Sequence, residues 1–104
     1  MRTLLALLIM LTSASMAYAQ QAVLLDVRTA EEFNQEHAYS AILIPHDEIA
    51  DKAPTTLTDK DQPIKVYCRS GNRAGKAVKS LKALGYSNVE NIGTLDDAKQ
   101  FIKR

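Results

Sequence analysis

A chain of 104 residues has room for one small domain, and its 13 basic and 12 acidic residues leave a formal net charge of +1. That near-balance argues against a surface built for nucleic acid or an anionic membrane. A single cysteine excludes an internal disulfide.

The chain begins with a segment that does not belong to the domain. Met1-Arg2 supplies a short positive start, Leu4 to Leu11 an apolar stretch, and Ala17-Tyr18-Ala19 a small-x-small site; together these are the parts of a secretory signal peptide. Cleavage is expected after Ala19, with residues 1–19 as leader and residues 20–104 as the domain. The apolar stretch is shorter than the roughly 20 residues of a spanning helix, so no stable membrane association is expected after cleavage. Arg2 is the only charged residue of the leader, and its removal leaves a formally neutral chain. Export commonly leads to an oxidising compartment. A lone thiol kept there, open to mixed disulfides and over-oxidation, implies a use.

Ala22 to Val27 is an apolar run interrupted only by Asp26, as in a parallel strand buried on both faces. Thr29 with Glu32 has capping-box spacing and predicts a short helix through Phe33 to about Gln35, with Phe33 facing the core. Ala41 to Ile44 reads as a second buried strand stopped by Pro45, and His46 to Lys52 as a short helix with Ile49 inward. Pro54 to Pro63 is polar and turn-rich and reads as a surface connection. Ile64 to Tyr67 is a third strand. Ala74 to Leu84 places Ala74, Ala77, Val78, Leu81 and Leu84 on one helical stripe, with Lys76, Lys79 and Lys82 mostly outside, and Gly85 ends it. Asn88 to Ile92 is a fourth strand. Gly93-Thr94 turns the chain, and Thr94 with Asp97 starts a last helix with Leu95, Ala98, Phe101 and Ile102 inside. Strands alternating with helices predict an α/β fold whose parallel sheet is covered on both faces.

Between the third strand and the long helix lies Tyr67-Cys68-Arg69-Ser70-Gly71-Asn72-Arg73. Cys68 thus sits at a strand-to-helix turn, where ligands gather in open α/β sheets. If the loop from Cys68 to Arg73 curls, its successive N–H groups form an anion-binding nest, and the following helix adds its positive end. Arg69 and Arg73 add two full charges, and Gly71 permits a positive φ or a close approach of backbone to ligand. Helix N-termini and neighbouring cations favour nucleophilic thiolates, and the same cradle would stabilise charge developing on a leaving group. The competing reading is an inert buried cysteine; the run Arg, Ser, Gly, Asn, Arg that follows Cys68 argues against it.

Leu25-Asp26-Val27-Arg28, Glu32-Phe33, His37, Ala41 to Pro45, Val66 to Ala74, and Leu84-Gly85-Tyr86 with Val89 together resemble a rhodanese domain, over nearly all of residues 20–104. The likeness is strongest to the small exported members of that family. It implies a rhodanese-like three-layer sandwich, with a small parallel sheet of about four to five strands flanked by helices on both faces. It also implies a thiosulfate sulfurtransferase working through a Cys68 persulfide, one hard transfer split into two. By the same likeness Cys68 is the nucleophile, and Arg69, Ser70, Gly71, Asn72 and Arg73 form the substrate-binding loop. Arg69 would recruit thiosulfate, while Arg73 and the loop amides would hold the sulfur and the departing sulfite. Asp26 and Arg28 would support the loop, Arg28 as an ion pair with Glu32. The likeness implies no metal and no organic cofactor, a thiol or cyanide as acceptor, and a periplasmic monomer.

Four residues separate Cys68 from Arg73. The related phosphatases and arsenate reductases have a wider loop, and the narrower one favours sulfur over phosphorus. The competing function is a persulfide carrier or anion-binding module with little turnover. A cysteine–histidine hydrolase is disfavoured, because neither His37 nor His46 sits in a motif with another triad member. The chain departs from the family at Ser40 and Thr94, where glycine is usual, and at Leu43, where asparagine is usual.

Overall fold

Alternation along a strand sends successive side chains to opposite faces of a sheet, and here it divides the core in two. The computed structural model describes residues 21–103; the expected leader and its cleavage site lie outside them. Strands β1 (Val23–Asp26), β2 (Ile42–Leu43), β3 (Ile64–Cys68) and β4 (Val89–Thr94) form one sheet in the order β2-β1-β3-β4. All its neighbours run parallel. The helices are α1 (Ala30–Gln35), α2 (Ile49–Thr56) with a 3-10 turn before it (His46–Glu48), α3 (Asn72–Ala83) and α4 (Leu95–Ile102).

On one face Leu25, Val27, Ile64, Val66 and Cys68 pack with Ile49 and Ala53 of α2 and with Ala74, Ala77 and Leu81 of α3. Leu81 is fully buried, a side chain whose removal from water stabilises by roughly 1.5–3 kcal/mol. On the other face Leu24, Tyr67 and Ala38 pack with Ala98 of α4. The expected three-layer α/β sandwich is therefore formed, with four strands. Among the described residues no helix is long and apolar enough to cross a membrane.

Several local expectations change. β2 is an edge strand of two residues, paired with β1 alone, so Ile42 is exposed and Leu43 half-buried; Ile44, just beyond the strand, is the residue that enters the core. Phe33 does not join the core: α1 has no buried residue, and Phe33 instead stacks on His37 with ring centroids 3.7 Å apart. Pro54 does not begin a surface connection, because α2 continues through it to Thr56. Its exposed position keeps the ring clear of the core, while buried Ala53 and Leu57 draw the last turn inward. The Tyr86 hydroxyl lies 3.0 and 2.6 Å from their carbonyls, giving the helix end a donor. β4 runs on through Gly93 and Thr94, and Ile102 is 40% exposed where the last turn of α4 passes beyond the sheet.

Candidate active site

Cys68 is the last residue of β3, buried, and separated by four residues from Arg73, the first arginine of α3. The chain turns at Gly71, which has φ +91°, a conformation open to glycine and strained for other residues. The Gly71 N–H donates to Cys68 Sγ at 2.9 Å. Its carbonyl faces the other way, accepting from the Gly75 N–H and from the Asn91 side-chain amide, each at 3.0 Å. With the carbonyl tied outward, the N–H points at sulfur. No side chain caps the start of α3, so its first-turn amides remain donors for an anion.

Strand β4 shapes the wall behind this loop. A register shift opposite Val66/Tyr67 sets Gly93 against Tyr67 and Thr94 against Cys68, and the Asn91 side-chain oxygen takes up the Gly93 N–H at 2.9 Å. Bulges of this kind re-aim side chains beside functional sites. Gly93 has φ +103°, and a Cβ there would collide with the Asp97 carboxylate. Thr94 fills the position where a second glycine was expected. Its hydroxyl accepts from the Asp97 N–H at 3.2 Å and donates to the Asp97 carboxylate at 3.0 Å, so its polar end serves the capping box of α4. Asn91 was not singled out from the sequence. A lone polar residue in a short strand carries no signal that it will clamp a loop.

The arginines divide their work differently from the expectation. Arg28 does not pair with Glu32. Its guanidinium grips Asp26 through Nε at 3.0 and 3.1 Å and Nη2 at 2.7 Å, and also donates to the Glu36 carbonyl at 2.6 Å. Asp26 accepts in addition from the Arg28 N–H and from the Tyr67 hydroxyl, and that hydroxyl accepts from the Ala38 N–H at 3.1 Å. Burial foremost pushes the Tyr67 phenol upward, keeping it protonated and a donor to Asp26. Asp26 and Arg28 therefore anchor Tyr67, the residue before Cys68.

Glu32 goes to Arg73, by two parallel bonds of 2.7 and 3.0 Å, and the same carboxylate completes the capping box of α1 with Thr29. The hydrogen bonds from Arg73, chiefly, hold the Glu32 carboxyl down to about 2. Arg73 is raised in turn, first by Glu32 and to a smaller extent by the charge of Cys68. The guanidinium expected to grasp the ligand thus ties the start of α3 to α1, close enough to Cys68 to interact with it.

Arg69 and Ser70 are exposed at the loop mouth and Asn72 is exposed as the first residue of α3. Arg69 borders a cleft of ≈ 430 Å³ whose other walls include Arg28, Glu32, Thr94 and Asp96. His37 Nδ1 lies 2.8 Å from the Phe33 carbonyl, and the His46 N–H donates to the Val27 carbonyl. Among the described residues the hydrogen bond to Cys68 Sγ comes from a backbone amide, not from a histidine.

The family model for the Rhodanese-like domain matches residues 12–95. The chain is similar to thiosulfate sulfurtransferase PspE of Escherichia coli (strain K12), with 42% identity over 73 residues that cover 70% of this chain and 70% of that protein. It is also similar to the adenylyltransferase and sulfurtransferase UBA4 of Meyerozyma guilliermondii, 42% identical over 78 residues, which cover 67% of this chain and 18% of that longer protein. Among solved structures, a rhodanese with anions from E. coli aligns at a TM-score of 0.70 and 40% identity, covering 74% of this chain and 91% of that one.

Proposed function

The chain belongs to the rhodanese-like domain family, and we propose that it is an exported, periplasmic sulfurtransferase that moves the sulfane sulfur of thiosulfate to a thiophilic acceptor through a Cys68 persulfide. The observation that carries this reading is the Gly71 N–H held 2.9 Å from Cys68 Sγ, at the uncapped start of α3. In that setting the Cys68 thiolate attacks the outer sulfur of thiosulfate. A new Sγ–S bond forms, the S–S bond of thiosulfate breaks, and sulfite leaves with the electron pair. The loop amides face the transferred sulfur, where they stabilise its negative charge without reorganising. Cyanide or a thiolate then attacks the outer sulfur and returns Cys68 as thiolate, which is covalent catalysis in two displacements.

Arg69, exposed and at the mouth, recruits the dianion. Arg73 fixes the loop through Glu32 and lends its charge from behind, while Ser70 and Asn72 complete the turn. Asp26 and Arg28 hold Tyr67, and so the end of β3, in place. The apolar leader of residues 1–19 supports export, and the domain acts as a monomer in this reading.

The test is the intact mass of the purified protein before and after thiosulfate, with sulfite followed in the same sample and Cys68→Ser as control. A gain of one sulfur atom, matched by sulfite, absent from Cys68→Ser and discharged repeatedly by cyanide, is expected. Loading without repeated discharge would replace the enzyme by a persulfide carrier. No gain would overturn the sulfur reading altogether.

A further inference from the structure

The cleft at the loop mouth is large for what the first half of the reaction needs. Thiosulfate and cyanide are small anions, yet the space beside Arg69 measures ≈ 430 Å³, within the ordinary range for sites that enclose an organic ligand. Its charges are mostly cancelled from within. Arg28 is taken by Asp26, Glu32 by Arg73, and Glu36 by Lys99. Arg69 and Asp96 remain, one cation and one anion on the walls of the same cleft, neither side chain with a hydrogen bond or ion pair among the described residues. Asp96 lies in the first turn of α4, where its charge suits the helix dipole, but the capping work there is done by Thr94 and Asp97. Leu95 adds an apolar patch and Gln35 an amide.

Resting on the sulfurtransferase reading, we propose that this cleft is the acceptor subsite, that it selects a thiol carrying both an ammonium and a carboxylate group, and that Asp96 is the residue that recognises the ammonium. The acceptor's carboxylate takes the place at Arg69 that sulfite has vacated, so one cation serves both halves of the cycle. Asp96 binds the ammonium by a charge-assisted hydrogen bond, and the short apolar stem lies against Leu95. The acceptor thiolate attacks the outer sulfur of the Cys68 persulfide. Its new S–S bond forms as the Sγ–S bond breaks, the electron pair returns to Cys68 as thiolate, and the persulfide proton stays with the product hydropersulfide. No oxidant or reductant is consumed.

The experiment loads the purified protein with thiosulfate, removes excess donor, and follows discharge of the persulfide by cysteine, cysteamine, 2-mercaptoethanol and 3-mercaptopropionate. Rates are normalised to discharge by cyanide in the same variant. These thiols differ in intrinsic reactivity, a difference that cancels when the wild type is compared with Asp96→Asn. The expected result is that Asp96→Asn lowers discharge by cysteine and cysteamine about five- to tenfold relative to 3-mercaptopropionate. Asp96→Glu should retain the preference, and Asp96→Lys should reverse it in favour of 3-mercaptopropionate. Normal loading with the same relative rates in wild type and Asp96→Asn overturns this inference alone. Failure of Cys68 to gain sulfur at all overturns the sulfurtransferase reading and this inference together.

Discussion

Two arginine–carboxylate pairs flank Cys68 and its loop, alike in chemistry and opposite in setting. Asp26 and Arg28 lie two residues apart at the end of β1, their side chains 0% and 7% exposed, and every bond of the pair is spent inside the fold. Glu32 and Arg73 come from α1 and α3, 41 residues apart, with side chains 21% and 24% exposed on the rim of the site. The difference teaches that a buried pair is chiefly a liability once broken, because one charge is left without water or partner. A rim pair instead holds two elements together where a ligand must come and go.

Removing one member of each pair tests that contrast, and the largest effect belongs to the buried one. Asp26→Asn should lower unfolding stability by about 3–5 kcal/mol, since Arg28 keeps its charge and loses its counter-ion, and this is read from urea midpoints at constant slope. An effect under about 1 kcal/mol would mean that Arg28 finds another partner and the contrast fails. Glu32→Gln should lower stability by a smaller amount, about 1.5–3 kcal/mol, and should in addition lower thiosulfate turnover by about tenfold, corresponding to about 1.4 kcal/mol of lost positioning. A turnover equal to wild type would mean that the loop is fixed without this bond.

The rim pair also sets a pH dependence. Glu32 has an ordinary value of 4.5 and is held at about 2 in the folded chain by Arg73, first of all. Between those values the unfolded chain binds the extra proton, so stability rises with pH there. The contribution of the pair is complete above about 4.5 and disappears as the pH falls through about 2. Wild type should therefore lose more stability than Glu32→Gln between pH 5 and pH 2, and parallel curves would remove the coupling. The smallest effect lies outside both pairs. Ser40 adopts φ +66° without being glycine, and Ser40→Gly should raise unfolding stability by about 0.5–1 kcal/mol, read as a higher urea midpoint, with turnover unchanged; a fall would show that the serine side chain stabilises that turn.

What a single sequence discloses depends on how local its cause is. The capping boxes at Thr29/Glu32 and Thr94/Asp97 and the stripe of Ala74, Ala77 and Leu81 were legible because each rests on spacing within one helix. The position of Cys68 at a strand-to-helix turn was legible for the same reason. The partner of Glu32 was not. Arg28, four residues before it, has the spacing of a helical pair but precedes the N-cap Thr29, so its side chain turns back along β1. The true partner lies on another helix, and nothing local announces it. Asn91 escaped notice likewise, since its two bonds depend on a bulge that exists only once β3 and β4 have met. Pro54 misled in the other direction, because a general helix breaker was outvoted by two buried neighbours and by Tyr86, from the connection between α3 and β4.

Tyr67 and Cys68 are neighbours in one strand and point to opposite faces of the sheet. A one-residue slip of β3 would exchange them, setting the bulky phenol under α3 and the thiol under α4. Such a slip would also strip Asp26 and the Ala38 amide of the Tyr67 hydroxyl that joins them. The tyrosine thus acts as a proofreader of strand alignment. A chain that closes this polar knot has already set Cys68 beneath α3, so the placement of the sulfur is checked from the opposite face of the sheet.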